Sequence, residues 1–362
     1  MPDTPGQTLK EILQNHTGQA GLYRKLSDGR IECYACGHRC KIGDGKDGIC
    51  KIRFHSDGKL LMPWGYVSSL ALDPIEKKPF FHALPGTTAM SFGMLGCDYH
   101  CSFCQNWITS QTLRDPHAVS AIEVVSPEEI VALARNNHAK IVTSTYNEPL
   151  ITSEWAVEVF KVAKRDRLVT SYVSNGNGTP EVVDYLRPWL DLFKIDLKGF
   201  NDKKYRELGG VLKNVLDTIV LAHKKNFWVE VVTLVVPGFN DTDSELKEIA
   251  GFVASVSPDI PWHVTAFHSD YKMEDVPRTQ ARMLLRAVEI GYGEGLHFVY
   301  AGNIPGAVRN FENTYCPSCR ELLIERVGFR ILRNTLDNGN CPKCKSSIAG
   351  FWKRPEMSRK EA

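Results

Sequence analysis

Residues 96–107, GCDYHCSFCQNW, carry three cysteines, Cys97, Cys101 and Cys104, and then stop one short of the four that close a tetrahedral thiolate site. Three thiolates spaced Cys-x3-Cys-x2-Cys on one loop can wrap a cubane iron–sulfur cluster and leave its fourth iron open to a ligand. A zinc ion completed by a remote histidine, His100 or His117, is the competing reading of the same residues.

The flanking sequence bears on that choice. Immediately before the cysteines runs a β-rich segment, TTAMSFGML (87–95), and six more follow: AKIVTSTY (139–146), LVTSYVSN (168–175), LDLFKIDL (190–197), WVEVVTLVV (228–236), PWHVTAF (261–267) and HFVYAG (297–302). Helical patterns separate them: PEEIVALARNN, ITSEWAVEVFKVAKRD, PEVVDYLRPW, LKNVLDTIVLAHKKN, DSELKEIAGFVAS and PRTQARMLLRAVEI. Alternating β and α units with right-handed crossovers predict an α/β fold, a partial (βα)6-type TIM barrel. Cys97 then lies on the loop after the first strand, at the barrel end where such folds carry their chemistry.

The 362-residue chain is 43% hydrophobic and carries 44 basic and 42 acidic side chains, a formal net charge of +2. It can bury one large core with small appendages, and its charge balance argues against nucleic acid as a partner. No apolar run reaches the roughly 18 residues of a membrane span. The start, MPDTPGQTLKEILQNHTG, lacks a basic segment followed by an apolar one, so a cytoplasmic protein without membrane contact is expected. The end, RPEMSRKEA (354–362), reads as a solvated, mildly basic tail.

Eleven cysteines in such a chain point to metal more than to disulfides. They divide into three sets with none left over. Cys316, Cys319, Cys341 and Cys344 form two Cys-x2-Cys knuckles separated by 21 residues, which predicts a zinc ribbon, with a rubredoxin-like iron or a second cluster as alternatives. Cys33, Cys36, Cys40 and Cys50 suit zinc or an auxiliary iron–sulfur cluster, with Gly43, Gly45 and Gly48 supplying the turns that return Cys50 to the others. The reading leans to zinc or a structural role there; a cluster could instead relay electrons or ligate substrate. The division is therefore a cysteine-rich extension (1–86), a barrel (87–302) and a ribbon-like unit (303–362).

Polar residues recur after successive strands. Asn147 and Glu148 follow the second; Glu148 could accept from an ammonium group, or could cap the next helix. Ser174 and Asn175 follow the third, where an Asn-Gly turn is the plain alternative. Asp196 and Lys198 end the fourth strand two residues apart, on one face, and could equally be an edge ion pair. His268 follows the sixth, as a ligand contact or a structural histidine.

Taken together these motifs resemble the radical S-adenosylmethionine enzymes, in which an aromatic residue, here Phe103, precedes the last cysteine. The resemblance covers residues 87–302. It implies a 4Fe-4S cluster whose open iron binds the amino and carboxylate groups of S-adenosylmethionine, and reductive cleavage to a 5'-deoxyadenosyl radical that abstracts a substrate hydrogen. It assigns Asn147 and Glu148 to the cofactor's amino group, Ser174 and Asn175 to its ribose and methionine parts, Lys198 with Asp196 to its carboxylate, and His268 to a further contact.

Over nearly the whole chain the sequence is similar to the radical enzymes of the AmmeMemoRadiSam system, themselves akin to pyruvate formate-lyase activating enzyme. DPIEKKPFFHALPG (73–86), CQNW, YNEP, NTYCPSC, CPKC and SSIAGFW carry that likeness. It implies AMMECR1-like and Memo-like partners and an electron donor such as flavodoxin or ferredoxin. Tyr-Asn-Glu-Pro stands where glycyl-radical activases have Gly-Gly-Glu, and the extra cysteines precede the radical motif instead of following it. The expectation is hydrogen abstraction from a protein, a peptide or a small molecule; a non-catalytic iron–sulfur and zinc protein, an electron carrier or scaffold, is the alternative.

Overall fold

The structure, a computed structural model, describes residues 8–353, so the tail 354–362 lies outside the described residues. One sheet of eight strands organises it: β1 (Ser69–Pro74), β2 (Thr88–Gly93), β3 (Ile141–Ser144), β4 (Val169–Ser174), β5 (Leu192–Asp196), β6 (Trp228–Val235), β7 (Trp262–Ala266) and β8 (Val299–Gly302), paired in chain order. β2 to β8 are parallel, in the seven segments predicted from sequence. Among the described residues β1 and β8 each pair on one side only, so the barrel is open between them.

The crossovers are α1 (Pro127–Asn136), α2 (Ser153–Arg165), α3 (Pro180–Leu186), α4 (Leu212–Lys224), α5 (Asp243–Val256) and α6 (Ala281–Gly293). Local chemistry sets their starts: Ser126 and Glu129 form a capping box with Pro127 at the first turn, and Thr179 and Thr242 cap α3 and α5. Strands buried on both faces read as near-continuous apolar runs, as in Ile141–Val142 and Leu192–Phe193.

Two features depart from the sequence reading. The pattern PRTQARMLLRAVEI predicted a helix from residue 277, but α6 begins at Ala281. Thr279 is held instead by the barrel: its amide donates to the Phe267 carbonyl, and its hydroxyl bonds Val235 O and Phe267 N. In addition, β1, from the predicted cysteine-rich extension, joins the barrel sheet antiparallel to β2, with Ser69 opposite Gly93 and Pro74 opposite Thr88.

The rest of the extension forms two three-stranded antiparallel sheets, and its Tyr66–Val67 pairs antiparallel with Glu123–Val124. Arg53, 1% exposed, fastens it to α2 through a two-pronged pair with Glu154 at 2.7 and 2.8 Å. At the other end a three-stranded antiparallel sheet (Thr314–Tyr315, Leu322–Val327, Arg330–Asn334) buries Leu323 and Ile324 against Phe81, Phe298 and Tyr300. Among the described residues no helix is long and apolar enough to cross a membrane.

Candidate active site

The cysteine loop leaves β2 through Gly93 and Gly96. Gly93 has no room for a side chain, because a Cβ there would meet the Thr145 carbonyl at 2.4 Å. That close approach brings the loops after β2 and β3 together. The Glu148 amide donates to the Gly96 carbonyl at 3.3 Å, the Gly96 amide to Thr109 O at 3.0 Å, and the Thr109 hydroxyl to Tyr146 O at 2.8 Å. Tyr146 takes a left-handed conformation (φ 69°) to make this corner, a cost that a tight ligand-binding loop commonly carries.

Burial pushes all three thiols up, Cys101 to about 12, so they lose their protons only when a cation compensates the charge. Hydrogen-bond donors already face the sulfurs. Tyr99 N lies 3.4 Å from Cys97 Sγ, and Ser110 Oγ lies 3.2 Å from Cys104 Sγ.

A cavity of about 530 Å³, its open mouth included, is lined by Cys97, Cys101 and Cys104 together with Asn147, Glu148, Ser174, Asn175, Asp196 and Lys198. Glu148 is its hub. It accepts from Ser174 Oγ at 2.6 Å, Asn175 N at 2.7 Å and Leu150 N at 3.0 Å, so it also caps the turn Pro149–Thr152. Burial, and next the neighbouring Asp98, push its carboxyl up to about 8 in spite of these donors. Asn147 fixes the cysteine loop by accepting from Met94 N at 3.1 Å.

This cavity opens into the barrel lumen, a space of about 1460 Å³ including its mouth, through eight residues they share, among them Cys101, Cys104, Tyr146, Asp196 and Lys198. Asp196 is held from both sides. Lys194 contacts one carboxylate oxygen, and Lys198 Nζ lies 3.0 Å from the other. Burial opposes the Asp196 charge, but the two lysines outweigh it and hold the carboxyl down at about 2. Lys77, Lys78 and Phe81 reach the lumen from the run that follows β1. Asp73 joins Lys77 (2.7 Å), Lys78 (2.5 Å) and the Tyr146 hydroxyl, which donates to it at 2.6 Å.

The cysteine loop, the polar residues after successive strands and the lumen share one end of the barrel. Residues 93–253 match the radical SAM superfamily. The chain is 37% identical over 334 residues to the uncharacterized protein MJ0808 of Methanocaldococcus jannaschii, covering 91% of this chain and 98% of that one. The chain belongs to the radical SAM superfamily. It is also 25% identical over 233 residues to the pyruvate formate-lyase 1-activating enzyme of Escherichia coli, covering 59% of this chain and 93% of the relative. A solved radical SAM methyltransferase from Sphaerobacter thermophilus aligns at 15% identity and a TM-score of 0.48, over 66% of this chain and 71% of that one.

A radical SAM chain of this kind is an enzyme, which displaces the carrier or scaffold reading, and membership implies a 4Fe-4S cluster and S-adenosylmethionine. The residues present fit the cluster. Among the described residues, the one group of three or more Cys, His, Asp or Glu whose donor atoms all lie within 4.8 Å is Cys316, Cys319, Cys341 and Cys344. Cys97, Cys101 and Cys104 line one cavity, and neither His100 nor His117 lines it with them.

Phe103, 4% exposed, packs edge-on against Phe239 at 5.4 Å and lines the lumen beside Cys104. His268 is not brought to the site. It is exposed, its Nδ1 lies 3.3 Å from Ser269 O, and it lines neither cavity, because the chain turns outward at the end of β7. Lys194, Lys77, Lys78 and Tyr146 went unassigned in the sequence reading. Lys194 had a legible signal, since it shares the β5 face of Asp196 and Lys198, and so had Tyr146, next to Asn147 and Glu148 after β3; Lys77 and Lys78 depend on β1 folding back along β2.

Proposed function

We propose that Cys97, Cys101 and Cys104 hold the 4Fe-4S cluster, and that Asn147, Glu148, Ser174, Asn175, Asp196 and Lys198 bind S-adenosylmethionine beside it, with Phe103 packing the cluster side of the lumen. The observation that carries this reading is the single cavity lined by all three cysteines and all six polar residues. When bound, the pair supplies reductive cleavage of the sulfonium to a 5'-deoxyadenosyl radical that takes a hydrogen atom from the substrate. The chain's own residues divide the binding: Glu148 is the acceptor for an ammonium group, Lys198 the donor for a carboxylate, and Ser174 keeps Glu148 oriented. His268 is left out because of its exposed position.

The lumen next to this cavity receives the substrate. Four lysines, Lys77, Lys78, Lys194 and Lys198, line it with Asp196 and with Glu76, whose carboxyl burial raises, which favours a substrate carrying an anionic group. The activating-enzyme relatives support a protein or peptide substrate and a low-potential electron donor such as flavodoxin or ferredoxin. An AmmeMemoRadiSam setting with AMMECR1-like and Memo-like partners rests on the sequence motifs, as does a cytoplasmic location. Zinc in the Cys316, Cys319, Cys341 and Cys344 group, in a zinc ribbon, is supported by sulfur pairs at 3.5 and 3.6 Å.

The test is anaerobic reconstitution with iron and sulfide, reduction, addition of S-adenosylmethionine and quantification of 5'-deoxyadenosine. Formation by wild type and its loss in Cys104→Ala is the expected result. No product from a protein with intact, reducible clusters would overturn the assignment.

A further inference from the structure

Outside the active site the most densely functional group in the molecule is the N-terminal cysteine set. Cys33, Cys36 and Cys50 are 5 to 6% exposed and Cys40 is partly so. Cys36 and Cys50 pack in one buried cluster with Ile52 and Ile151, and the charges of Cys33, Cys40 and Cys50 are all felt at the Cys36 thiol. Zinc bonded to sulfur at about 2.3 Å would draw such sulfurs to within roughly 4 Å of one another. The C-terminal set is drawn together in that way, with sulfur pairs at 3.5 and 3.6 Å. The N-terminal set is not: among the described residues no three of its sulfurs lie mutually within 4.8 Å. Three buried thiols and a partly exposed fourth, less tightly gathered than the C-terminal set, match a cubane, whose four irons hold their thiolates farther apart than a single ion does.

The position of the set matters as much as its geometry. Asp98, wholly buried, is the residue after Cys97 and lies between the two cysteine groups. Its carboxylate accepts from Asn175 Nδ2 and Asn177 Nδ2, both at 2.7 Å, and His38 Nε2 stands 3.8 Å away. Asn177 in turn receives the Gly37 amide on its carbonyl at 2.7 Å, and Asn175 Nδ2 lies 4.0 Å from Cys97 Sγ. One hydrogen-bonded path therefore runs from the Cys36–Cys40 turn through Asn177 and Asp98 to the first active-site cysteine. Gly96 makes a second seam, since a Cβ there would touch Ile52 at 3.0 Å and the Cys50 carbonyl at 3.4 Å. On the outer side, the loop carrying Cys40 and Cys50 exposes Lys41, Lys46 and Lys51 to solvent.

We propose that Cys33, Cys36, Cys40 and Cys50 ligate a second 4Fe-4S cluster that passes electrons to the active-site cluster. This deepens the function proposed above and rests on it for the destination of the electron. A one-electron carrier of the flavodoxin or ferredoxin class reduces the outer cluster from the 2+ to the 1+ state. The same electron then reduces the inner cluster from 2+ to 1+, and the outer one returns to 2+. No proton or bond changes hands in the relay.

The test uses the full chain, reconstituted without oxygen, with iron, acid-labile sulfide and zinc measured together. Wild type is expected to hold about eight irons and eight sulfides, two cubanes, per chain. Cys97→Ala/Cys101→Ala/Cys104→Ala is expected to keep about four of each and to show a reduced-cluster electron paramagnetic resonance signal. Zinc in place of iron and sulfide in that variant would overturn the proposal and leave the active-site assignment standing. Retention of all the wild-type iron would instead overturn the active-site assignment. Cys36→Ser/Cys40→Ser, checked for fold by circular dichroism and ribbon zinc, reads the relay: reduction of the inner cluster by reduced flavodoxin should slow at least tenfold. An unchanged rate would remove the relay.

Discussion

The Ser174 hydroxyl donates to the Glu148 carboxylate at 2.6 Å, across 26 residues of chain and two adjacent strands. This contact and the Asn175 amide fix Glu148 inside the cavity, where burial and Asp98 raise its carboxyl to about 8. A carboxyl raised above its unfolded value of about 4.3 stabilises the fold at low pH and loses that contribution as pH climbs. The cofactor-free protein should therefore lose stability between pH 5 and 8, and Glu148→Gln should flatten that slope in urea titrations at the two pH values. Binding of S-adenosylmethionine at pH 7 should release a proton in wild type and none in the variant, as read by calorimetry in two buffers.

Lys198 lines both cavities, whereas Lys194 lines the lumen alone. Lys198→Met should weaken S-adenosylmethionine binding about tenfold, the loss of roughly 1.4 kcal/mol. Lys194→Met should change that affinity less than threefold, because Lys198 still neutralises Asp196. Equilibrium titration of the two variants separates cofactor from substrate functions, and equal losses would show that the lysines act as one unit.

Arg53 and Glu154 form a buried pair in which each depends on the other, and Glu154 also accepts from the Gly21 and Leu22 amides. Arg53→Met leaves that carboxylate without its cation and should cost about 3 to 5 kcal/mol in denaturant unfolding. Arg53→Met/Glu154→Leu should recover part of the loss.

The C-terminal unit closes the lumen by packing. Arg326 donates to the Phe81 carbonyl at 2.7 Å and stacks on the Phe81 ring at 4.4 Å, while Tyr300 bonds both His82 and Thr314. With the zinc proposed for Cys316, Cys319, Cys341 and Cys344, treatment with a chelator, or Cys341→Ser, should lower the melting temperature by at least about 5 °C. Zinc release measured with a colorimetric chelator should follow the same transition.

The strand and helix succession, the cysteine spacing and the polar residues at strand ends were legible in the chain because they are local. Periodicity reports burial within one element, and Asp196 and Lys198 share a face by the two-residue repeat of a strand. The placement of His268 was not legible, since the direction of the chain past Ala266 depends on what Thr279 binds across two strands. Nor was the folding back of β1 along β2, which brings Lys77 and Lys78 to a lumen they share with residues as distant as Lys194, Lys198 and Tyr300. The sequence by itself determined an α/β barrel with a three-cysteine loop and two further cysteine sets, each from short-range pattern. Only the tertiary structure decided which sets face one another: Asp98 joins the first to the second through Asn175 and Asn177, contacts made across strand order and register that no window of sequence contains.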